Sequence, residues 1–400
     1  MTKWVPLEKV AKYTTKRITT KEITIDQYIT TDCLLQNKAG ITRATNLPPK
    51  SIKLSKYDKG HILISNIRPY LKKIWYANKS GGCSADVLNL EIFENYNPSF
   101  VYYSILSDDF FAHMMKGSKG SKMPRGDKDQ ILTYRIPDFE INYQKKVETI
   151  LSTIDSKISL NNKISVELEA LAKTIYEYWF IQFDFPNENK KAYKSDGGEM
   201  VFNDELKRWI PEGWEVGSLL DIASFTNGLA CQKYRPINND KLRVIKIKEM
   251  HEGFSNDTEF VRADIPEKVK VINGDILFSW SASLEVMLWT KGIGALNQHI
   301  FKVSSKNYPR SYYYFQLKDY LYHFQMMAEN RKTTMGHITQ EHLIQSKVIL
   351  PPIEIVQELE NKIAPLFNEI INVQEQNQKL MSLREWVTPL IMNEQISIES

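Results

Sequence analysis

INYQKKVETILSTIDSKISLNNKISVELEALAKTIYEYWF, residues 141–180, decides how this chain is built. Ile150, Ile154, Lys157, Asn161, Ile164, Leu168, Leu171, Ile175 and Tyr178 alternate steps of four and three, the heptad seam that keeps one stripe of a helix facing a partner helix. Neither Pro nor Gly interrupts it. The spacing predicts one rod from about residue 142 to 180, roughly 38 residues and about 57 Å long. That is too long for one small domain to cover, so the seam needs a partner.

The partner lies at the other end of the chain. Val356, Leu359, Ile363, Leu366, Ile370, Val373, Asn377, Leu380, Arg384, Val387 and Ile391 step in the same way. Each seam carries one asparagine, Asn161 and Asn377. A seam Asn costs stability but fixes register, because it prefers to meet another polar group. The expectation is an antiparallel pair with the two Asn near mid-length. The alternative is two independent amphipathic helices, each packed on its own domain.

The chain repeats itself around these rods. Lys59-Gly60-His61-Ile62-Leu63-Ile64-Ser65 returns as Asn273-Gly274-Asp275-Ile276-Leu277-Phe278-Ser279, and Ile136-Pro137 returns as Leu350-Pro351. The displacement, about 214 residues, is far longer than any solenoid period. Each half therefore reads as a mixed globular domain followed by a long helix. The expected boundaries are 1–140 for the first domain, 141–185 for the central helix, 186–213 for a polar linker, 214–350 for the second domain and 351–400 for the last helix. Runs such as HILISNI, DVLNLEI, VINGDILFSW and NQHIFKV read as strands between turn signals. SFVYYSILSDDFFAHMM and RSYYYFQLKDYLYHFQMMAEN read as helices, with Asp108-Asp109 capping or solvating a helix end.

Composition bounds the chemistry. Lys+Arg 52 against Asp+Glu 48 leaves a net charge of +4, which permits nucleic-acid binding without arguing for it. Cys33, Cys83 and Cys231 form no C-x-x-C pair, which argues against a disulfide framework or a zinc site and fits a reducing cytoplasm. No apolar run is long enough to span a membrane, and the first residues do not read as a signal peptide. P-loop, dinucleotide turn and H-E-x-x-H motifs are missing, and the seven His are scattered.

Binding groups are better represented. Ser65, Asn66 and Arg68 end a strand and are followed by Lys72 and Lys73. Lys119, Lys122 and Arg125 lie in a Gly- and Ser-rich loop suited to phosphate. In the second half Gln232, Lys233, Tyr234 and Arg235, then Asn297 and Gln298, have the same character. Arg331, Lys332, Thr333, Thr334 and His337 occupy the place of the first basic loop. Arg, Asn and Gln can hold guanine and adenine edges with two hydrogen bonds, while Lys mainly meets phosphate. Turn-stabilising polar residues are the plainer reading of each cluster. Tyr176, Trp179 and Phe180 exceed what the seam needs and suit either a docking surface or packing under the first domain.

Taken together, the chain resembles the DNA specificity subunits of type I restriction-modification systems. The likeness covers nearly all of it: GHILISNIRPYLKKIWYANKSGGCSADVLNL (60–90), SKMPRGDKDQI (121–131), IDSKISLNNKISVELEALAKTIYEYWFIQFDFP (154–186), KSDGGEMV (194–201), IPEGWEV (210–216), NGLACQKYRP (227–236), LNQHIFKV (296–303) and TTMGHIT (333–339). The family's P-P-x-x-E-Q-x-x-I at the helix foot is altered here, to IPDFEINYQKKV and LPPIEIVQELENKI.

The resemblance implies an α+β fold of two structurally repeated target-recognition domains separated by an antiparallel coiled coil, with Ile154, Asn161, Leu168 and Ile175 facing Leu366, Val373, Asn377 and Leu380. It implies a non-catalytic subunit that reads a bipartite, asymmetric site on double-stranded DNA. Two methyltransferase and two restriction subunits would assemble on it in a bacterial or archaeal cytoplasm. S-adenosylmethionine, ATP and Mg²⁺ would belong to those partners, with no cofactor in this chain and no membrane. A coiled-coil adaptor that binds protein and not DNA is the competing reading.

Overall fold

The computed structural model describes residues 3–49, 51–120, 122–281, 283–330 and 337–398. The chain folds as two compact units, one of Met1–Ile158 with Leu380–Ser400, the other of Ser159–Lys379.

In the first unit one antiparallel sheet has the order Ala11–Tyr13, Val87–Ile92, Ile62–Ser65, Ile74–Tyr76. All four residues of Ile62–Ser65 are buried. Successive side chains of a strand point to opposite faces, and here each face has its own core. Ile62 and Ile64 join Phe100, Phe110 and Met114 of the helices, whereas Leu63 joins Leu54, Tyr57 and Cys83 of a second sheet. A strand covered on both faces reads as a continuous apolar run, as ILIS does. The second sheet runs Arg17–Thr19, Lys53–Tyr57, Gly81–Cys83, Tyr28–Ile29, with the last pair parallel. Trp4–Pro6 pairs with Arg135–Pro137 at the foot of the first rod.

The second unit repeats this plan. Ser224–Asn227, Ile300–Ser304, Ile276–Ser279 and Glu285–Leu288 form the antiparallel sheet. Again Ile276 and Phe278 face one core and Leu277 the other. In its second sheet Lys270–Val271, Gly294–Leu296 and Lys241–Ile245 reproduce the antiparallel and parallel pairings of the first unit's last three strands. The fourth strand is added on opposite edges: Arg17–Thr19 beside Lys53–Tyr57, but Phe260–Arg262 beside Lys241–Ile245. Glu215–Ser218 with Lys347–Leu350 matches the foot pairing. Gly60 and Gly274 have φ of +92° and +96°. The turn before each repeated strand thus demands a left-handed residue that Gly adopts without steric cost.

One helix departs from expectation. SFVYYSILSDDFFAHMM forms two helices, Pro98–Ile105 and Asp108–Lys116, because Ser107 stops the first and caps the second by accepting from Phe110 N–H at 3.3 Å. The second unit keeps one helix there, Arg310–Asn330.

The rods are Ile141–Phe180 and Ile353–Met392, 40 residues each, and they pair antiparallel. In the second unit Asn161 Nδ2 donates to Asn377 Oδ1 at 2.9 Å and to the Val373 carbonyl at 3.3 Å, while Gln374 Nε2 donates to Ser165 Oγ at 2.8 Å. Asn161 and Asn377 are both buried; Asn161 Oδ1 finds no partner among the described residues. In the first unit Arg384 pairs with Asp155, which also accepts from Tyr103 Oη at 2.8 Å. Ile154 and Val373 are buried, and Leu168, Ile175, Leu366 and Leu380 are partly so.

The first seam needs correcting in three places: Lys157, Leu171 and Tyr178 are exposed, while Ile150, Ile164, Leu168 and Ile175 are partly covered. The buried line runs through Val147, Leu151, Ile154, Asn161, Ala172, Tyr176 and Trp179. A 3.6-residue helix drifts off a strict heptad, and both rod ends turn from the partner rod to their unit's core. Tyr176 stacks on Phe315 with centroids 5.0 Å apart, and Phe180 meets Tyr312 edge-on at 5.0 Å. These aromatics lie inside the second unit, neither under the first nor on a docking face. The stretch expected as a linker is folded on the same core. Met200–Asn203 and Arg208–Pro211 form a hairpin, and Tyr193, Phe185 and Trp214 stack in series.

Candidate nucleic-acid interface

In the first unit the fold brings two sequence-predicted clusters together. The loop after Ile62–Ser65 crosses the basic loop: Arg68 N–H donates to the Pro124 carbonyl at 2.8 Å, and Gly126 N–H to the Asn66 carbonyl at 3.1 Å. Lys119 and Arg125 exchange two backbone hydrogen bonds of 3.0 Å, so the basic loop closes on itself as a tight hairpin. A Cβ on Gly126 would come within 3.0 Å of Asn66 Oδ1 and 2.9 Å of Ile131 Cδ1, so a larger residue there would have to displace those side-chain ends.

This crossing presents Arg68, Tyr70, Lys119, Lys122, Met123 and Arg125 to solvent. Lys119 pairs loosely with Asp127 at 3.6 Å and Arg125 with Asp86 at 2.9 Å; Arg68 and Lys122 carry no ion pair among the described residues. Exposed ion pairs contribute about 0–1 kcal/mol, so a phosphate can take over such a cation at little cost. Arg68 sits at φ +51°, an uncommon conformation for a non-glycine residue.

Other candidates are committed within the protein. Ser65 is buried, and its hydroxyl donates to the Ile67 carbonyl at 2.9 Å within the turn. Lys73 Nζ donates to the Thr31 carbonyl at 2.7 Å, and Lys72 pairs with Asp108 at 2.7 Å. Asn66 is half-covered, with its Oδ1 buried and without a partner among the described residues.

The second unit rebuilds the crossing with different side chains. Ile338 N–H donates to the Trp280 carbonyl at 3.1 Å, as Gly126 does to Asn66. Thr339 caps the helix that follows, as Asp127 does in the first unit. Trp280 lies between His337, 5.2 Å away edge-on, and His299, 5.7 Å away. Gln298 Nε2 is 3.3 Å from His299 Nε2, and its N–H donates to the Leu229 carbonyl at 2.9 Å. That bond places the segment leading to Gln232, Lys233 and Arg235, all three exposed, beside this cluster.

Two readings change here too. Asn297 is buried, its Oδ1 accepting from His299 N–H at 3.3 Å, and so it supports the turn. Tyr234 lies half-buried under the Arg262 guanidinium, 5.4 Å from the ring centroid. Arg331, Lys332, Thr333 and Thr334 lie outside the described residues.

Sequence reasoning passed over Lys38 and Trp280 and read Asp108 only as a residue capping or solvating a helix end, whereas Ser107 is the cap. Asp108 accepts from Lys38 at 2.8 Å and from Lys72 at 2.7 Å. Burial pushes its carboxyl up, and the two ammonium groups more than reverse this, holding it below the ordinary carboxylate range. Among the described residues, no cluster of His, Cys, Asp and Glu could hold a metal ion, and no helix is long and apolar enough to cross a membrane.

Comparison with known proteins follows the same lines. The model of a family described as the type I restriction modification DNA specificity domain matches residues 211–381. The type I restriction enzyme MjaIX specificity subunit of Methanocaldococcus jannaschii is 26% identical, over 88% of this chain and 82% of that one. The HindI specificity subunit of Haemophilus influenzae is 23% identical, over 92% and 94%. The crystal structure of the type I restriction-modification S subunit from M. genitalium shares the fold, with a TM-score of 0.55 at 11% identity, over 100% of this chain and 97% of that one.

Proposed function

We propose that this chain, a type I restriction-modification DNA specificity subunit, reads one half of a two-part DNA site with each unit and fixes the gap between the halves with its paired rods. One observation carries this reading. The backbone bond from Gly126 to Asn66 recurs in the second unit from Ile338 to Trp280, and around each stands a different set of side chains. A constant frame with varied groups is what two readers of different base sequences require.

Arg68 and Arg235 are assigned to base edges, where a guanidinium can hold guanine O6 and N7 together. Lys119, Lys122, Arg125 and Lys233 are assigned to phosphates, which orient the duplex but carry no sequence information. Gln298 and His337 border the second crossing and are assigned to its base readout. Neither unit needs to bind tightly alone, since the second contact is intramolecular once the first has formed. Methylation, translocation and cleavage are assigned to two methyltransferase and two restriction subunits, which would hold S-adenosylmethionine, ATP and Mg²⁺. This chain then supplies address and scaffold.

Retention of a randomised duplex library by the purified chain with its methyltransferase partner tests the reading. Two short specified blocks separated by a constant unspecified gap are expected. If the complex forms but retains duplexes without sequence preference, the chain is an adaptor and not a reader.

A further inference from the structure

The loop that carries Arg68 is held in an unusual shape. Among the described residues eight non-glycine residues have positive φ, and Asn37, Lys38, Arg68 and Lys72 are four of them. They form one feature: Lys38 N–H donates to the Lys72 carbonyl at 2.9 Å, and Leu71 N–H returns to the Arg68 carbonyl at 2.9 Å. A left-handed non-glycine residue is disfavoured unless its surroundings fix it, and here several are fixed side by side.

Backbone hydrogen bonds hold these residues, and one carboxylate ties the side chains of two of them together. Asp108 Oδ1 takes the Lys38 ammonium at 2.8 Å and Oδ2 takes that of Lys72 at 2.7 Å. The Lys38 side chain keeps only 17% of its exposure and that of Lys72 30%. Without Asp108 two cations would stand together on strained backbone with no anion between them. A favourable charge in the first turn of helix Asp108–Lys116 explains an acidic residue there, but not this geometry. Asp109, in the same turn, makes no ion pair among the described residues.

We propose that Asp108 is a positioning residue for base reading: by clamping Lys38 and Lys72 it holds the Arg68 loop in the one conformation that discriminates its half-site. The inference rests on the DNA-reading function proposed above. Asp108 itself touches no base. The clamp also keeps two lysines from meeting phosphate, so it withholds sequence-independent affinity while it sharpens sequence-dependent affinity. Loss of the clamp therefore moves the two in opposite directions, which a merely structural residue would not do.

The test uses the full chain with its methyltransferase partner. The probes are the duplex selected by the wild-type complex and versions substituted in one half-site at a time. Asp108→Asn is expected to lower discrimination at one half-site about tenfold, the scale of one bidentate base contact, and to leave the other half-site unchanged. Binding to a random duplex should strengthen, with a salt dependence steeper by about one to two counterions. Asp108→Glu should restore discrimination, and Asp109→Asn, with the same change in charge but no clamp, should leave it intact.

Equal behaviour of Asp108→Asn and Asp109→Asn would overturn the inference. So would an equal loss at both half-sites, or a fall in unfolding midpoint without a gain on random duplex. A wild-type complex with no sequence preference removes the DNA-reading function and this inference with it.

Discussion

Arg68 and Lys122 stand on the two strands of one crossing, yet removing them should have different consequences. Arg68→Ala is expected to cost about 1–3 kcal/mol on the preferred duplex and little on others, so that discrimination relaxes at one position. Lys122→Ala should weaken all duplexes alike and reduce the salt slope by about one. Equilibrium binding at several salt concentrations separates them: equal weakening on every sequence by Arg68→Ala would make it a phosphate contact only. Asn297→Ala should act on stability instead, losing about 0.5–1.5 kcal/mol with the hydrogen bond from His299 N–H, which denaturant unfolding measures. The Asp108 carboxyl is held below its ordinary range, so the clamp is present above the unfolded-state value and is lost only as pH falls through the lower folded one. Discrimination measured across the neutral range should therefore show no step from this group. At this scale the sequence was read only in part. Residue type marked Arg68 and Lys122, but the burial of Ser65 and Asn297 comes from which strand ends lie against which loops. The role of Asp108 depends on two lysines distant in sequence.

The rods were the most legible elements, since apolar periodicity is written locally and forty residues average out its errors. The second seam stays wholly or partly covered from Val356 to Ile391, and the two asparagines meet. The first seam drifted at Leu171 and Tyr178 because the heptad describes only a helix facing another helix, and this one turns to a globular core. Asn161→Leu should destabilise the chain, leaving the Asn377 amide against an apolar neighbour, while the double change to Leu should recover that loss or exceed it. Thermal unfolding of the three variants tests this; a double variant no better than the single one would contradict it. The break at Ser107 was also visible in Ser-Asp-Asp, the residue types that start helices, but lost to the apolar run on both sides of it.

At the scale of the whole molecule the duplication was legible from a few repeated motifs, and the sheets bear it out in all but one strand of each unit. What could not be read was the edge on which each unit adds its fourth strand, because edge pairing depends on partners that no local pattern specifies. Nor was it foreseen that the first unit is closed by the end of the chain, where Ile391 and Met392 are buried and Ile396 and Ile398 pack beside them. The gap between half-sites belongs to this scale, and the rods are the elements assigned to set it. Four residues inserted after Asn161, with four inserted at the facing position of the second rod, would add about 6 Å of helix. Duplex selection by this variant and by the parent chain, each with methyltransferase partner, is the most direct measurement: the same two half-sites should return with a longer gap. Unchanged spacing, or a single uninterrupted motif from either chain, would contradict the account.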